Sequence, residues 1–257
     1  MIDTHCHLTD PAFDADREQV IDEAIGAGVG GFVVPSVNRA GFEPVLSLCR
    51  ENALCIPALG IHPLALDHAL DSDLDVLAQT IARHRPAALG EIGLDRFVRP
   101  YDESRQAFFF VRQLQLARAF DLPVLLHVRR AIDPVLALLR RYPVRGGIAH
   151  AFNGSIQQAQ ALIQMGFKLG FGGAATFPRA TRLRHLVASL PLESMVLETD
   201  APDLSPAWCA RGRNSPTQLP RIARELAALR GMALSSFAQA TTRNACALLA
   251  APAQGIV

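Results

Sequence analysis

Lysine is almost missing from this chain. Lys168 is the single lysine among 25 basic residues, and every other one is arginine. With one Trp and two Tyr in 257 residues, no row of aromatic platforms for stacking bases is evident. Phe152 and Phe177 remain as candidates for that role. The five cysteines (Cys6, Cys49, Cys55, Cys209 and Cys246) are odd in number and form no C-x-x-C pair. This argues against a disulfide framework and for a reducing compartment. No basic stretch followed by an apolar run opens the chain, and every apolar run is broken well before 18 residues. A membrane span and a secretory leader are therefore not expected, and the location expected is cytoplasmic. Formal net charge is only +1, so a polyanion would have to be held by a local patch and not by a broad field. No G-x-G-x-x-G follows the first apolar segment, which weakens a dinucleotide-binding reading. No linker or low-complexity segment divides the sequence, and one domain over 1–257 is expected.

What is present is regular. Half of the residues are hydrophobic, enough for a large core. Short apolar runs at 1–5, 29–35, 54–61, 87–92, 123–127, 146–150, 167–171 and 194–198 read as strands. The third is weakened by Pro57, which cannot donate to a ladder. Amphipathic stretches near 14–27, 40–52, 73–84, 102–120, 131–141, 155–165, 179–189, 216–230 and 233–250 read as helices, and 201–216 as a long loop. Strands alternating with helices predict α/β structure with a parallel sheet. Apolar strands without alternation suit burial on both faces. Eight of them, in a chain of about 250 residues, favour a closed (β/α)8 TIM barrel over an open doubly wound sheet.

The polar residues then fall in a pattern. In an extended strand His5 and His7 point to one side and Cys6 to the other, so two imidazoles can pinch one cation. Glu91 and Asp95 close the fourth strand, His127 the fifth, His150 the sixth, and Glu198 and Asp200 the eighth, while His62 lies just past the third. In a barrel those ends meet at one rim, where such folds place their active sites. Any one of these residues alone is as well explained by a cap or a satisfied core position. Gathered, they bury carboxylates and imidazoles at a cost that only cations offset. Four His, one Glu and one Asp suffice for two divalent ions. Nitrogen and oxygen donors without thiolate suit Mg, Mn, Zn, Ni or Co. In barrels of related layout a carboxylated lysine can bridge two ions; Lys168 lies at the start of its strand, away from the rim, so the bridge falls to a carboxylate such as Glu91.

The segments DTHCHL, GIHP, GEIGLD, LPVLLH, AHAFNGS and LETDAP together resemble the TatD family of metal-dependent deoxyribonucleases, over residues 2 to about 248. PVLLHVRRA, GGAATFPRA and LETDAPDL are most similar to its YjjV branch. The resemblance implies a TIM barrel in which His5, His7, Glu91 and Asp200 hold one divalent metal and Glu91, His127 and His150 a second. Asp200 and Glu91 would be catalytic, with Asp200 orienting or deprotonating a metal-activated water. His62 would sit near the substrate phosphate. Arg129, Asn153, Ser155 and Arg213 would complete the substrate contacts, and Glu198 would support from the opposite face to Asp200. Where the family often carries R-N-E-P, this chain has Arg213-Asn214-Ser215-Pro216, so serine replaces the glutamate. The activity implied is exonucleolytic hydrolysis of DNA phosphodiesters, on a single strand or a strand end, by a monomer. The alternative is a small-molecule amidohydrolase, lactonase or phosphotriesterase using the same site, since fold and ligands do not fix the substrate. A metal-binding protein without turnover is disfavoured by the complete ligand set.

Overall fold

All eight strands sought in the sequence are present, and each pairs in parallel with the next. The computed structural model describes residues 1–209 and 212–249. The strands are β1 (Ile2–Asp3), β2 (Gly31–Pro35), β3 (Cys55–Leu59), β4 (Ala88–Asp95), β5 (Val124–Arg129), β6 (Gly147–Ala149), β7 (Phe167–Phe171) and β8 (Met195–Leu197), in spatial order 1 to 8. The helices are α1 (Arg17–Gly26), α2 (Phe42–Glu51), α3 (Asp73–His84), α4 (Glu103–Ala119), α5 (Ile132–Arg141), α6 (Ile156–Gln164), α7 (Thr181–Ser189), α8 (Leu219–Leu229) and α9 (Leu234–Leu249). The seam between β8 and β1 is drawn together by Thr4, whose N–H and hydroxyl both donate to the Leu197 carbonyl at 2.9 Å. The result is the expected (β/α)8 TIM barrel.

Pro57 does lie inside β3, paired with Val34. It needs no N–H there, because its carbonyl accepts from Ala87 at 3.0 Å and keeps the ladder to β4. β4 runs three residues beyond the expected end at 92, and β5 two beyond 127. The two rise side by side up to Asp95 opposite Arg129. The expected last helix reached 250, which lies outside the described residues.

Two apolar layers hold the barrel. Inside it, Ile2, Val33, Ala58, Leu125, Ile148 and Val196 meet from different strands, and Ala245, Leu248 and Leu249 of α9 close the bottom. Outside it, helices bury one stripe each. In α8 these are Leu219, Ile222, Ala223, Leu226 and Ala227, the i, i+3, i+4, i+7, i+8 spacing of a helix lying on a sheet. With the lower end stoppered, the carboxyl ends of the strands line a cavity. No described helix is long and apolar enough to cross a membrane.

Candidate metal centre

The first and last strands bring their polar residues together by continuing past their own ends as a pair. Asp200 N–H donates to the His5 carbonyl at 2.8 Å, and His7 N–H to the Ala201 carbonyl at 2.8 Å. Beneath them the buried Asp3 carboxylate accepts from Thr199 N–H at 2.9 Å, the Thr199 hydroxyl at 2.5 Å and His5 N–H at 3.3 Å. Burial, only partly opposed by these bonds, pushes Asp3 up to about 7. Asn214, fully buried, donates to the carbonyls of Thr199 and Asp203 and so braces the turn at Asp200. Asp200 itself is held at φ +59°, a left-handed conformation unusual for a residue with a Cβ.

Glu91, 1% exposed, is the centre of the arrangement. Its two oxygens face different imidazoles. Oε2 lies 3.1 Å from His5 Nε2 and 3.7 Å from His7 Nε2. Oε1 lies 2.8 Å from His127 Nδ1, 3.3 Å from His150 Nε2 and 3.5 Å from His62 Nε2. On the Oε2 side, His5 and His7 Nε2 are 3.2 Å apart, and Asp200 Oδ1 is 3.5 and 3.6 Å from them. Donors held tetrahedrally at about 2.0–2.2 Å around one ion are about 3.3–3.6 Å apart, so these spacings fit a divalent cation. Grouped ligand atoms that could hold an ion are found in His5–His7–Asp200, His5–Glu91–His150 and His62–Glu91–His127.

Electrostatics point the same way. Burial works against the Glu91 carboxylate, yet the surrounding imidazoles hold it well below the usual glutamate range. His150 is driven up to about 10: burial opposes its charge, but Asp200, Glu91 and Glu198 outweigh it. Burial dominates at His5 and lowers it. His5 Nδ1, His150 Nδ1 and Glu198 Oε2 are buried without a hydrogen-bond partner, and the His5 and His150 rings stack at 3.8 Å. Unpartnered imidazoles crowded on buried carboxylates are what a cation would compensate.

Tautomers separate the histidines. His62 Nδ1 accepts from Leu64 N–H at 3.1 Å, which leaves the proton on Nε2 in the neutral ring. That nitrogen faces the cavity as a donor. His127 is the converse. Its Nε2 meets Asp95 Oδ2 at 3.0 Å and its Nδ1 meets Glu91 Oε1 at 2.8 Å, and these bonds raise the imidazole against burial. With a cation held on Nδ1, the remaining Nε2–H would donate to Asp95. Asp95 is itself fixed. Gln106 bonds its backbone twice at 2.9 Å, and its Oδ1 accepts from the N–H groups of Phe97 and Val98 at 2.8 and 3.1 Å. Burial raises Asp95, but the bonds from His127 and these two N–H groups prevail and bring it to about 2. Asp95 stood at a strand end in the sequence but with no role attached; a carboxylate paired with a histidine side chain 32 residues away leaves no local signal. Asp95→Asn would turn an amide N–H toward His127 Nε2 and move the imidazole proton to Nδ1. Calorimetry with Zn or Mn is expected to show affinity about 10- to 100-fold weaker; unchanged affinity would exclude this orienting role.

The remaining expected site residues divide. Arg129 and Asn153 line the same cavity of about 1130 Å³ as His7, His62, Glu91 and Asp200. Ser155 and Arg213 are not among its walls. Ser155 caps α6, its hydroxyl accepting from Gln158 N–H while Gln158 bonds back to Ser155 N–H. Arg213 pairs through both terminal nitrogens with Asp16 at 2.5 and 2.8 Å and lies over the Phe13 ring. Both side chains are engaged by partners within the protein. Glu198 is not turned away from the site: its Oε1 lies 3.5 Å from His150 Nδ1 and accepts from Ala151 N–H.

A sequence model of the TatD related DNase family matches residues 2–250. The chain belongs to the TatD family. Within it, the chain is 41% identical over 255 residues to the metal-dependent hydrolase YjjV of Escherichia coli K12, covering 98% of each. The crystal structure of that TatD homologue superposes with a TM-score of 0.93 over 96% of this chain and 97% of that one. The human deoxyribonuclease TATDN3 is 34% identical over 263 residues, covering 96% of this chain and 94% of that protein. Membership of the TatD family makes this chain an enzyme, a metal-dependent hydrolase.

Proposed function

We propose that the enzyme hydrolyses phosphodiester bonds of DNA, working on a single strand or a strand end. The observation that carries this reading is Glu91, whose two oxygens face separate groups of imidazoles on the floor of a cavity whose walls include Arg96, Arg129, Arg130 and Arg182. In this reading His5, His7, Glu91 and Asp200 hold one divalent ion, and Glu91, His127 and His150 a second. Bound there, the ions supply Lewis acidity and bring the pKa of a water toward neutrality.

The chain's own groups do the rest. Asp200 takes the proton of the attacking water. Burial tends to raise its carboxyl, but His150, His7 and His5 keep it below the ordinary range and hence ionised. The water oxygen forms the new bond to phosphorus, the diester P–O bond breaks, and the leaving oxygen takes up a proton, from Asp200 or solvent, to depart as the alcohol. His62 Nε2–H donates to a non-bridging oxygen, and Arg129 pairs with the phosphate. Asn153 is held at the wall by Arg182, which donates to its Oδ1 at 2.8 Å. The human relative's name supports the same substrate.

The test strips metal from the protein and restores Mg, Mn or Zn before adding a single-stranded DNA oligomer. Cleavage should return with metal. Asp200→Ala should lower it by about 10²- to 10⁴-fold, with metal content measured alongside. No cleavage by folded, metal-loaded enzyme would overturn the reading in favour of a small-molecule hydrolase acting on an amide, lactone or phosphotriester.

A further inference from the structure

An aromatic ring other than the two expected from the sequence stands open at the mouth of the cavity. Phe152 is 4% exposed and packs edge-on against Phe171, and Phe177 is not among the cavity walls. Phe97, just past β4, is 42% exposed and lines the cavity. Arg129 lies over its ring with the guanidinium carbon 3.7 Å from the centroid, and Arg130 lies at 4.5 Å. Exposed Val37 and Leu64 line the same mouth. Isolated exposed apolar residues need no explanation. Four around one cavity, Leu204 being the fourth, with two arginines over the ring, do.

Resting on the nucleic-acid reading above, we propose that Phe97, with Arg129 and Arg130 stacked on it, is the subsite that receives the nucleobase next to the cleaved phosphate. Ring and guanidinium planes both stack on bases, and the edges of the same arginines remain free to meet phosphate. Val37 and Leu64 offer apolar contact without hydrogen-bonding groups in their side chains, so the subsite requires a base but does not read which one.

The backbone that carries the ring is tied to the strand ends. Phe97 N–H and Val98 N–H donate to Asp95 Oδ1, and Arg96 N–H donates to the Arg129 carbonyl at 2.9 Å. Asp95 Oδ2 meanwhile holds His127. One carboxylate therefore sets the distance between the ring and the centre.

The experiment measures binding of fluorescent oligodeoxythymidylate to the metal-loaded full chain by anisotropy, with phosphorothioate linkages to block cleavage. A second oligomer of equal length carries abasic residues at its terminal positions. The base-bearing oligomer is expected to bind about 5- to 150-fold more tightly, the worth of one stacked base. That ratio should fall toward one in Phe97→Ala and in Phe97→Leu, which keeps apolar bulk without the ring, and return in Phe97→Tyr. Because the side chain is largely outside the core, these variants should fold. Equal binding of both oligomers by the wild type would overturn the proposal, as would an undiminished ratio in the alanine and leucine variants. Failure of the wild type to bind either oligomer would remove the nucleic-acid reading itself, and the subsite with it.

Discussion

Glu91→Gln should give a folded barrel that holds fewer than one ion per chain, against the two expected for the wild type, and turns over substrate about a thousandfold more slowly. The carboxylate is the one group shared by both sets of imidazoles, with one oxygen for each. An amide keeps the shape but offers a single neutral oxygen and places an NH2 against the other set. Loss of several kcal/mol of transition-state stabilisation corresponds to about that factor in rate. The metal-free protein should also change its response to pH. In the wild type the native Glu91 carboxyl is depressed, so it stabilises the fold above the ordinary glutamate pKa. That contribution is lost as pH falls through the depressed value, and the variant lacks this acid-linked loss. Metal content by elemental analysis, together with oligomer hydrolysis, decides the matter. Two ions bound by the variant with wild-type affinity would show that Glu91 bridges nothing.

The second large effect is expected at a glycine. Gly93 has φ +153° and faces His127 across the β4–β5 ladder. A Cβ there would come within 1.8 Å of the His127 carbonyl oxygen, so no rotamer relieves the clash and the two strands must separate. Gly93→Ala should cost more than about 4 kcal/mol, in the range of exceptional single substitutions. In a chain of this size that lowers the melting temperature by about 8–16 °C. Gly26→Ala is the control. Nothing lies within 4 Å of a Cβ at Gly26, and an alanine near the end of α1 should change stability by less than about 1 kcal/mol. Thermal or urea unfolding of both variants settles the comparison. A Gly93→Ala protein as stable as the wild type would mean that the strands pair differently at this point.

How much could be read in advance follows from where the signals lie. The strands announce themselves because they are buried on both faces, and their carboxyl ends expose His5, Glu91, His127, His150 and Asp200 as the polar residues that end apolar runs. The barrel then does the gathering. Strand length was harder: β4 reaches Asp95 because β5 accompanies it, a cross-strand condition not written in the segment itself. Asp95 and Glu198 depend on rings supplied by other strands, so their service to His127 and His150 could not be deduced locally. Arg213 is similar, since its partner Asp16 lies 197 residues away. Ser155 is different. Ser155 followed by Gln158 just ahead of an apolar stretch is a helix-start signature, and that local signal already favoured a cap over a substrate contact. Phe97 was hidden by its setting, because only the arginines from β5 and the loop after it make a platform of an otherwise ordinary exposed ring.

The seam that joins β1 to β8 has a consequence in time. Asp3 and Thr199, 196 positions apart, must meet before His5 and His7 can share their side of the cavity with Asp200. A chain emerging from the ribosome carries the two histidines from the outset and Glu91 well before the end, but it lacks the Asp200 carboxylate until the last strand has been made. Folding intermediates that lack the final strand thus lack one member of the His5–His7–Asp200 group. A hydrolase built this way has no complete site before its barrel is shut.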